Sequence, residues 1–276
     1  MSATIAQSDP RTQTSVPSPR LSSARLYVTA VAIFLATAAL TLWSARSMSA
    51  TMPMPGGWRM SMMWMRMAGQ SWGAAAAVFI LMWAAMMVAM MLPSTLPMLM
   101  LYRRAVAFRG EARLGACTWA MACAYFAVWT LFGAAAYGLG VAIAQAAMHS
   151  LAVSRALPFG VGGALLVAGI YQLTPWKSAC LQHCRDPLSV VAHHLDGGWR
   201  GAARLGMHHG AFCAACCWGL MLIQLALGVM NLWVMIAVAA AIAAEKLLPR
   251  GLLLARLIGA ASIVGGLAIA ARALQG

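Results

Sequence analysis

Two short segments of this sequence concentrate side chains that bind soft metal ions. The first, HHGAFCAACCW at residues 208–218, holds two histidines and three cysteines within ten positions. On a helix, His209, Cys213 and Cys217 follow at intervals of four, and Cys216 lies three residues after Cys213, so all four share one face. Thiolate and imidazole bind Zn(II) and Cu(I), and a C-x-x-C spacing also occurs in redox sites. The segment therefore predicts metal or redox chemistry, against the alternative that cysteine packs as a small hydrophobic residue.

The second segment, CLQHCRD at residues 180–186, repeats this helical spacing with Cys180, His183 and Cys184. A loop joins it to the first segment, and the two half-sites are predicted to close into one site of three or four ligands. Two cysteines with one or two histidines would suit Zn(II), whereas a set dominated by cysteine would suit Cu(I). The sequence leaves open which of these side chains converge.

Methionine supplies a third group of candidate ligands. The chain has 22 methionines, and eight of them lie in MSATMPMPGGWRMSMMWMRM, residues 48–67. In the next apolar segment Met82, Met86 and Met90 are spaced by four and form one stripe; two prolines follow, at which the helix is expected to kink or end early. Thioether is a soft ligand that prefers Cu(I), although methionine also fills gaps in membrane-protein cores. Met86 and Met90 are thus predicted to belong to a path that a soft ion follows.

The elements that must position these ligands are membrane helices. The chain is 63% hydrophobic, only 9% of its 276 residues are charged, and its mean hydropathy is +0.79. A soluble domain would carry about 25% charged residues, and about 20 apolar residues suffice to cross a bilayer. We therefore predict an all-α fold, a polytopic transmembrane helix bundle with about seven spans. The predicted spans are residues 27–45, 73–101, 114–140, 157–174, 208–228, 232–248 and 252–274.

The remaining segments complete the predicted organisation. Residues 1–25, rich in Ser, Thr, Pro and Ala, are predicted to be a disordered cytoplasmic tail, and residues 26–276 the transmembrane helical domain. Within that domain, a methionine-rich outer loop is predicted at 46–72 and a cytoplasmic Cys/His loop at 175–207.

The distribution of positive charge predicts the orientation. With a cytoplasmic N-terminus and seven crossings, fourteen of the nineteen Lys and Arg residues fall on the cytoplasmic side, and the C-terminus lies outside. This arrangement depends on a tight hairpin near Gly228–Asn231. Because basic residues lie between the apolar runs, the net charge of +14 does not indicate a nucleic-acid partner; the lipid bilayer is the expected one. Glu245 is expected to form an ion pair with Arg250 or Arg256.

Four segments together resemble the DUF2182 family of bacterial integral membrane proteins, which are described as predicted metal-binding. They are MWAAMMVAMMLPSTLPML, YQLTPWKSACLQHCRDP, GMHHGAFCAACCWGLMLI and GVMNLWVMIAVAAAIAAEKLLPRG, and the resemblance covers residues 70–270. It implies metal binding by a C-x-x-H-C element, an H-G-x-x-C-x-x-C-C-W element and a methionine–proline helix. The residues at these positions are Cys180, His183 and Cys184; His209, Cys213, Cys216 and Cys217; and Met86, Met87, Met90, Met91, Pro93 and Pro97.

These features favour a protein of the bacterial inner membrane that binds, relays or transports Cu(I), with Zn(II) as the other candidate ion. Methionine at the outer face would collect the ion, and the Cys/His cluster would hold or release it. The expected protein partner is a copper donor or a copper acceptor. Ligand exchange among soft donors needs no nucleotide, and we find no Walker motif. The balance therefore favours a protein that is not an enzyme.

Two alternatives stay open at this point. A membrane thiol oxidoreductase would use Cys213, Cys216 and Cys217 to pass electrons to a quinone. A scaffold subunit would use the same residues in a structural Zn site that fixes the Cys/His loop at 175–207 to the helix that follows it.

Overall fold

A computed structural model describes residues 19–47, 50–67, 69–193 and 196–275, with side chains in the first helix from residue 24. These residues form helices and one small antiparallel sheet. The helices are α1 (Pro19–Ser47), α2 (Trp72–Phe108), α3 (Leu114–His149), α4 (Leu151–Leu173), α5 (Pro175–Arg185), α6 (Pro187–His193), α7 (Gly198–Leu227), α8 (Leu232–Leu247) and α9 (Gly251–Gln275). The sheet pairs β1 (Thr51–Pro53) with β2 (Arg59–Ser61).

Six of the helices are long and apolar enough to cross a membrane, which confirms the all-α membrane bundle. They are α1 from Ala24, α2, α3, α4, α7 and α9. The remaining predicted span forms α8, which has 16 residues. At 1.5 Å per residue α8 is about 24 Å long, shorter than a hydrocarbon core of about 30 Å. By length alone the described residues therefore contain six candidate spans where the sequence predicted about seven.

The predicted hairpin between α7 and α8 is present. Gly228 follows α7 with φ of 113°, a conformation that favours glycine, and so ends the helix. The side chain of Asn231 then accepts hydrogen bonds from the backbone of Trp233 and Val234 and starts α8. The short helix α8 returns the chain to the end of α4, where the side chain of Gln172 donates a hydrogen bond to Glu245. The side of the membrane on which each end lies stays a prediction.

The helix α2 does not end early at its prolines. It continues through Pro93 and Pro97 to Phe108, seven residues beyond the predicted end. A proline inside a helix removes one backbone donor. Here α2 packs against α1, α3 and α8, and this burial keeps the helix continuous.

The predicted cytoplasmic loop at 175–207 is largely helical. Thr174 caps α5 by accepting a hydrogen bond from the backbone of Lys177 at 3.3 Å, and Pro175 occupies the first turn. Asp186 accepts from the backbone of Ser189 at 3.1 Å and so starts α6. The helix α5 packs on α7 and brings the second predicted half-site to the first.

The predicted tail at 1–25 and the predicted outer loop at 46–72 both include regular secondary structure. Residues 1–18 of the predicted tail lie outside the described residues, and α1 already begins at Pro19. The predicted outer loop contains the β1–β2 hairpin, followed by a 3-10 turn at Met62–Trp64. Met48 lies outside the described residues.

Candidate metal site

The helix α7 presents its cysteines to the interior of the bundle. Cys213, Cys216 and Cys217 are fully buried, and His209 is 4% exposed. This is the common face that their helical spacing predicts. All three thiols belong to one core cluster of contacting side chains, lined by residues of α2, α3, α4, α5, α7 and α8.

Small residues on α7 decide what lies opposite these thiols. A Cβ on Gly206 would collide with the carbonyl oxygen of Met121, and one on Gly210 would lie 3.1 Å from that of Tyr125. The backbone of α7 therefore approaches α3 closely, as small residues permit in membrane helices. As a result, the Tyr125 hydroxyl lies 2.9 Å from Cys213 Sγ, and its ring stacks on His209 with centroids 5.5 Å apart.

The second half-site meets the first through α5. Cys184 and Cys180 are half-buried and pack against the core cluster. The side chain of Cys184 interacts with that of Cys216. His183 stacks on Phe212 at 3.9 Å and lies 5.3 Å from His208, a histidine that the sequence analysis did not place in the site. The two segments singled out in the sequence thus lie side by side.

The sulfur atoms adjoin one another in pairs. Cys213 interacts with Cys217, Cys217 with Cys216, and Cys216 with Cys184. In the part of the chain that the structure describes, no three side chains of His, Cys, Asp or Glu are arranged to hold one ion. The predicted closure into a three- or four-ligand site is therefore not preformed there.

A buried ion pair supports the contact between α5 and α7. Lys177 Nζ donates to Glu245 Oε2 at 2.5 Å and to the Cys216 carbonyl at 2.8 Å, and Gln172 Nε2 donates to Glu245 Oε1 at 2.8 Å. The sequence-based expectation that Glu245 pairs with Arg250 or Arg256 is wrong. Its partner comes from α5, 68 residues earlier, because packing of α5 on α7 places Lys177 opposite α8.

The charge state of this lysine follows from its neighbours. Burial lowers the pKa of the Lys177 ammonium, but the nearby groups of Cys216, Cys217 and Glu245 raise it, and the net direction is upward. Lys177 is therefore a cation at neutral pH. Together with the carboxylate of Glu245 it forms a neutral buried pair.

A second buried lysine contacts a cysteine directly. Lys246 Nζ donates to Cys213 Sγ at 2.8 Å, and Lys246 is 9% exposed. Among the described residues the ion pairs are Lys177–Glu245 and the exposed Arg204–Asp196, so Lys246 has no carboxylate partner there. Neither lysine belongs to the set of ligands that the sequence predicts. A lysine beside an apolar segment could have indicated this role, because an ionisable group there is energetically unfavourable unless it is functional or paired.

Methionine side chains continue the same core. Met86 is 1% exposed and Met90 5%, and both belong to the cluster that contains the three buried cysteines. Met63 and Trp64, from the turn after the β1–β2 hairpin, pack against this cluster. Five further buried methionines complete it: Met82, Met87, Met91, Met221 and Met235. Sulfur-containing side chains therefore occur in one continuous core from the hairpin to the cysteines.

Comparison with known proteins gives one informative match. No curated protein and no solved structure matches the chain significantly. A family model does, over residues 80–269, and its description is copper chaperone. This range lies within the segment of the chain that resembles DUF2182, and the match names copper where that resemblance implied a metal. The chain therefore belongs to the PpoB2 family, a family of copper chaperones.

Proposed function

We propose that this protein collects Cu(I) at its methionine-rich outer hairpin and holds it at the thiols of α5 and α7 for transfer to an acceptor protein. This proposal rests on one observation. The three buried cysteines of α7 share one core with the methionines of α2, and one of them, Cys216, adjoins Cys184 of α5. The proposed ligands are Cys213, Cys216, Cys217 and Cys184, with His209, His183 and Cys180 beside them.

The chemistry of the thiols supports copper as the cargo. Soft sulfur ligands select Cu(I), which accepts two or three of them, so sulfur atoms that adjoin in pairs suffice. A Cu(I) ion between two thiolates carries one net negative charge. The ammonium of Lys246, 2.8 Å from Cys213 Sγ, balances that charge. The core around the site is apolar, so this compensation is needed.

Release of the ion requires a ligand that a partner can reach. Cys213, Cys216 and Cys217 are fully buried, whereas Cys184 and Cys180 are half-buried. We therefore assign the exit to α5, where a thiol of an acceptor protein would take the ion by ligand exchange. The positive-inside distribution favours the cytoplasmic side of a bacterial inner membrane for this end of the bundle.

The test is the metal content of protein purified without oxygen in detergent. After dialysis against a Cu(I) chelator, wild-type protein is expected to hold roughly one tightly bound copper ion per chain, and Cys213→Ser with Cys217→Ser to lose it. The matched control replaces Cys117 and Cys123, the first of which is buried in a separate core cluster, and should retain copper.

The other outcomes contradict the proposal. Copper that resists the chelator in the Cys213→Ser, Cys217→Ser protein as it does in the wild type would place the tight site elsewhere. Zinc in the wild type, lost in the double variant, would indicate a structural site. A metal-free wild type with bound quinone would indicate a thiol oxidoreductase.

A further inference from the structure

A buried amide lies among the methionines, two helical turns from the cysteines. Gln224 on α7 is fully buried, and its Nε2 donates a hydrogen bond to Met86 Sδ at 3.3 Å. Its Oε1 has no hydrogen-bond partner among the residues that the structure describes. A buried carbonyl oxygen without a partner is unfavourable, and an apolar side chain of similar size would avoid that penalty. The position of this glutamine therefore calls for a compensating interaction.

The residues around Gln224 extend the cysteine stripe towards the outer hairpin. From Cys213, intervals of four, four and three lead through Cys217 and Met221 to Gln224, so all four share one face of α7. At 1.5 Å per residue, Gln224 is about 10.5 Å beyond Cys217 along the helix axis. Met221 is fully buried and belongs to the same core cluster as Met86. The amide therefore lies between the hairpin and the thiols.

A cation needs different support here than at the cysteines. Thioethers are neutral, so Cu(I) bound by methionine keeps its full positive charge in a medium of low polarity. Carbonyl oxygens that point at a desolvated cation stabilise it through their dipoles, as in ion-channel filters. Gln224 Oε1 is an oxygen of this kind, and the thioether of Met86 is already in contact with the same amide.

We propose that Met86 and Gln224 form a second Cu(I) site, separate from the thiols, that the ion occupies on its way from the hairpin. Met86 Sδ binds the ion, and the carbonyl dipole of Gln224 compensates its charge after the amide turns away from the sulfur. Met221 and the stripe neighbours Met82 and Met90 are the further thioethers available to it. This proposal rests on the proposed function and adds a ligand class and a residue to it.

The test uses Ag(I), which mimics Cu(I), and a protein whose Cys180, Cys184, Cys213, Cys216 and Cys217 are all serine. This protein is expected to bind Ag(I) still. Adding Met86→Leu or Gln224→Leu should weaken Ag(I) binding at least about tenfold, because each removes one of the two supporting groups. The control is Met121→Leu, a buried methionine of the other core cluster, which should leave the affinity unchanged.

A second measurement avoids dependence on the serine variant. In full-length protein with its cysteines intact and with methionine methyl groups labelled by ¹³C, Ag(I) added after the thiols are filled should shift the Met86 resonance. Gln224→Leu should abolish that shift. Absence of the shift in a protein that holds copper at its thiols would overturn this inference and leave the proposed function intact. A protein that holds no copper at its thiols would instead refute the proposed function.

Discussion

Replacement of Lys246 by leucine tests whether a buried positive charge determines copper affinity. The variant removes the ammonium 2.8 Å from Cys213 Sγ and leaves an apolar side chain that offers copper no ligand. In the absence of copper, the wild-type ammonium faces a thiol in an apolar core. An apolar substitute for a buried charge is often neutral or stabilising. Lys246→Leu is therefore expected to unfold at the same temperature as the wild type, or a higher one, when no metal is bound.

The copper-loaded protein should respond in the opposite sense. Two unit charges 2.8 Å apart interact by about 6 kcal/mol at an effective dielectric constant of about 20, which sets an upper limit. Removal of one partner from a buried pair costs about 3 to 5 kcal/mol. At about 1.4 kcal/mol per factor of ten, Cu(I) affinity should fall by roughly 10² to 4 × 10³.

Competition with a Cu(I) chelator under anaerobic conditions measures this affinity, and thermal unfolding in detergent measures the stability of the metal-free protein. Lys246→Arg keeps the charge and should recover most of the affinity. If Lys246→Leu binds Cu(I) as tightly as the wild type while Cys213→Ser does not, the charge of Lys246 plays no part in holding copper.

Two further predictions concern the supports of the site. Lys177→Met leaves the buried carboxylate of Glu245 without its cation, so the free energy of unfolding should fall by about 3 to 5 kcal/mol, and Glu245→Gln in the same chain should restore most of it in a thermal-unfolding assay. Gly206→Leu forces a side chain against the carbonyl oxygen of Met121 and should lower stability by about 1 to 3 kcal/mol and weaken copper binding. The control is Gly138→Leu, because Gly138 is exposed and an added Cβ there meets nothing within 4 Å. A Gly206→Leu protein as stable as the wild type would contradict the close approach of α3 and α7.

Some features of the site were accessible to local sequence patterns. The common face of His209, Cys213 and Cys217 follows from helical periodicity, which depends only on spacing along the chain. The end of α7 at Gly228 follows from glycine at a position that needs a positive φ. The segment that forms α5 is predicted as a loop because few of its residues are apolar. Thr174 and Pro175 nevertheless form a recognisable helix start.

The sequence by itself determined that this chain forms apolar helices and that one of them carries three cysteines on its buried face. Composition and periodicity are sufficient for both conclusions because they are properties of single segments. Only the tertiary structure decided that Lys177 pairs with Glu245, that Lys246 contacts Cys213, and that Gln224 contacts Met86. These contacts join residues 33 to 138 positions apart. They depend on which helix faces pack together, and that choice is made by the shapes of several helices at once.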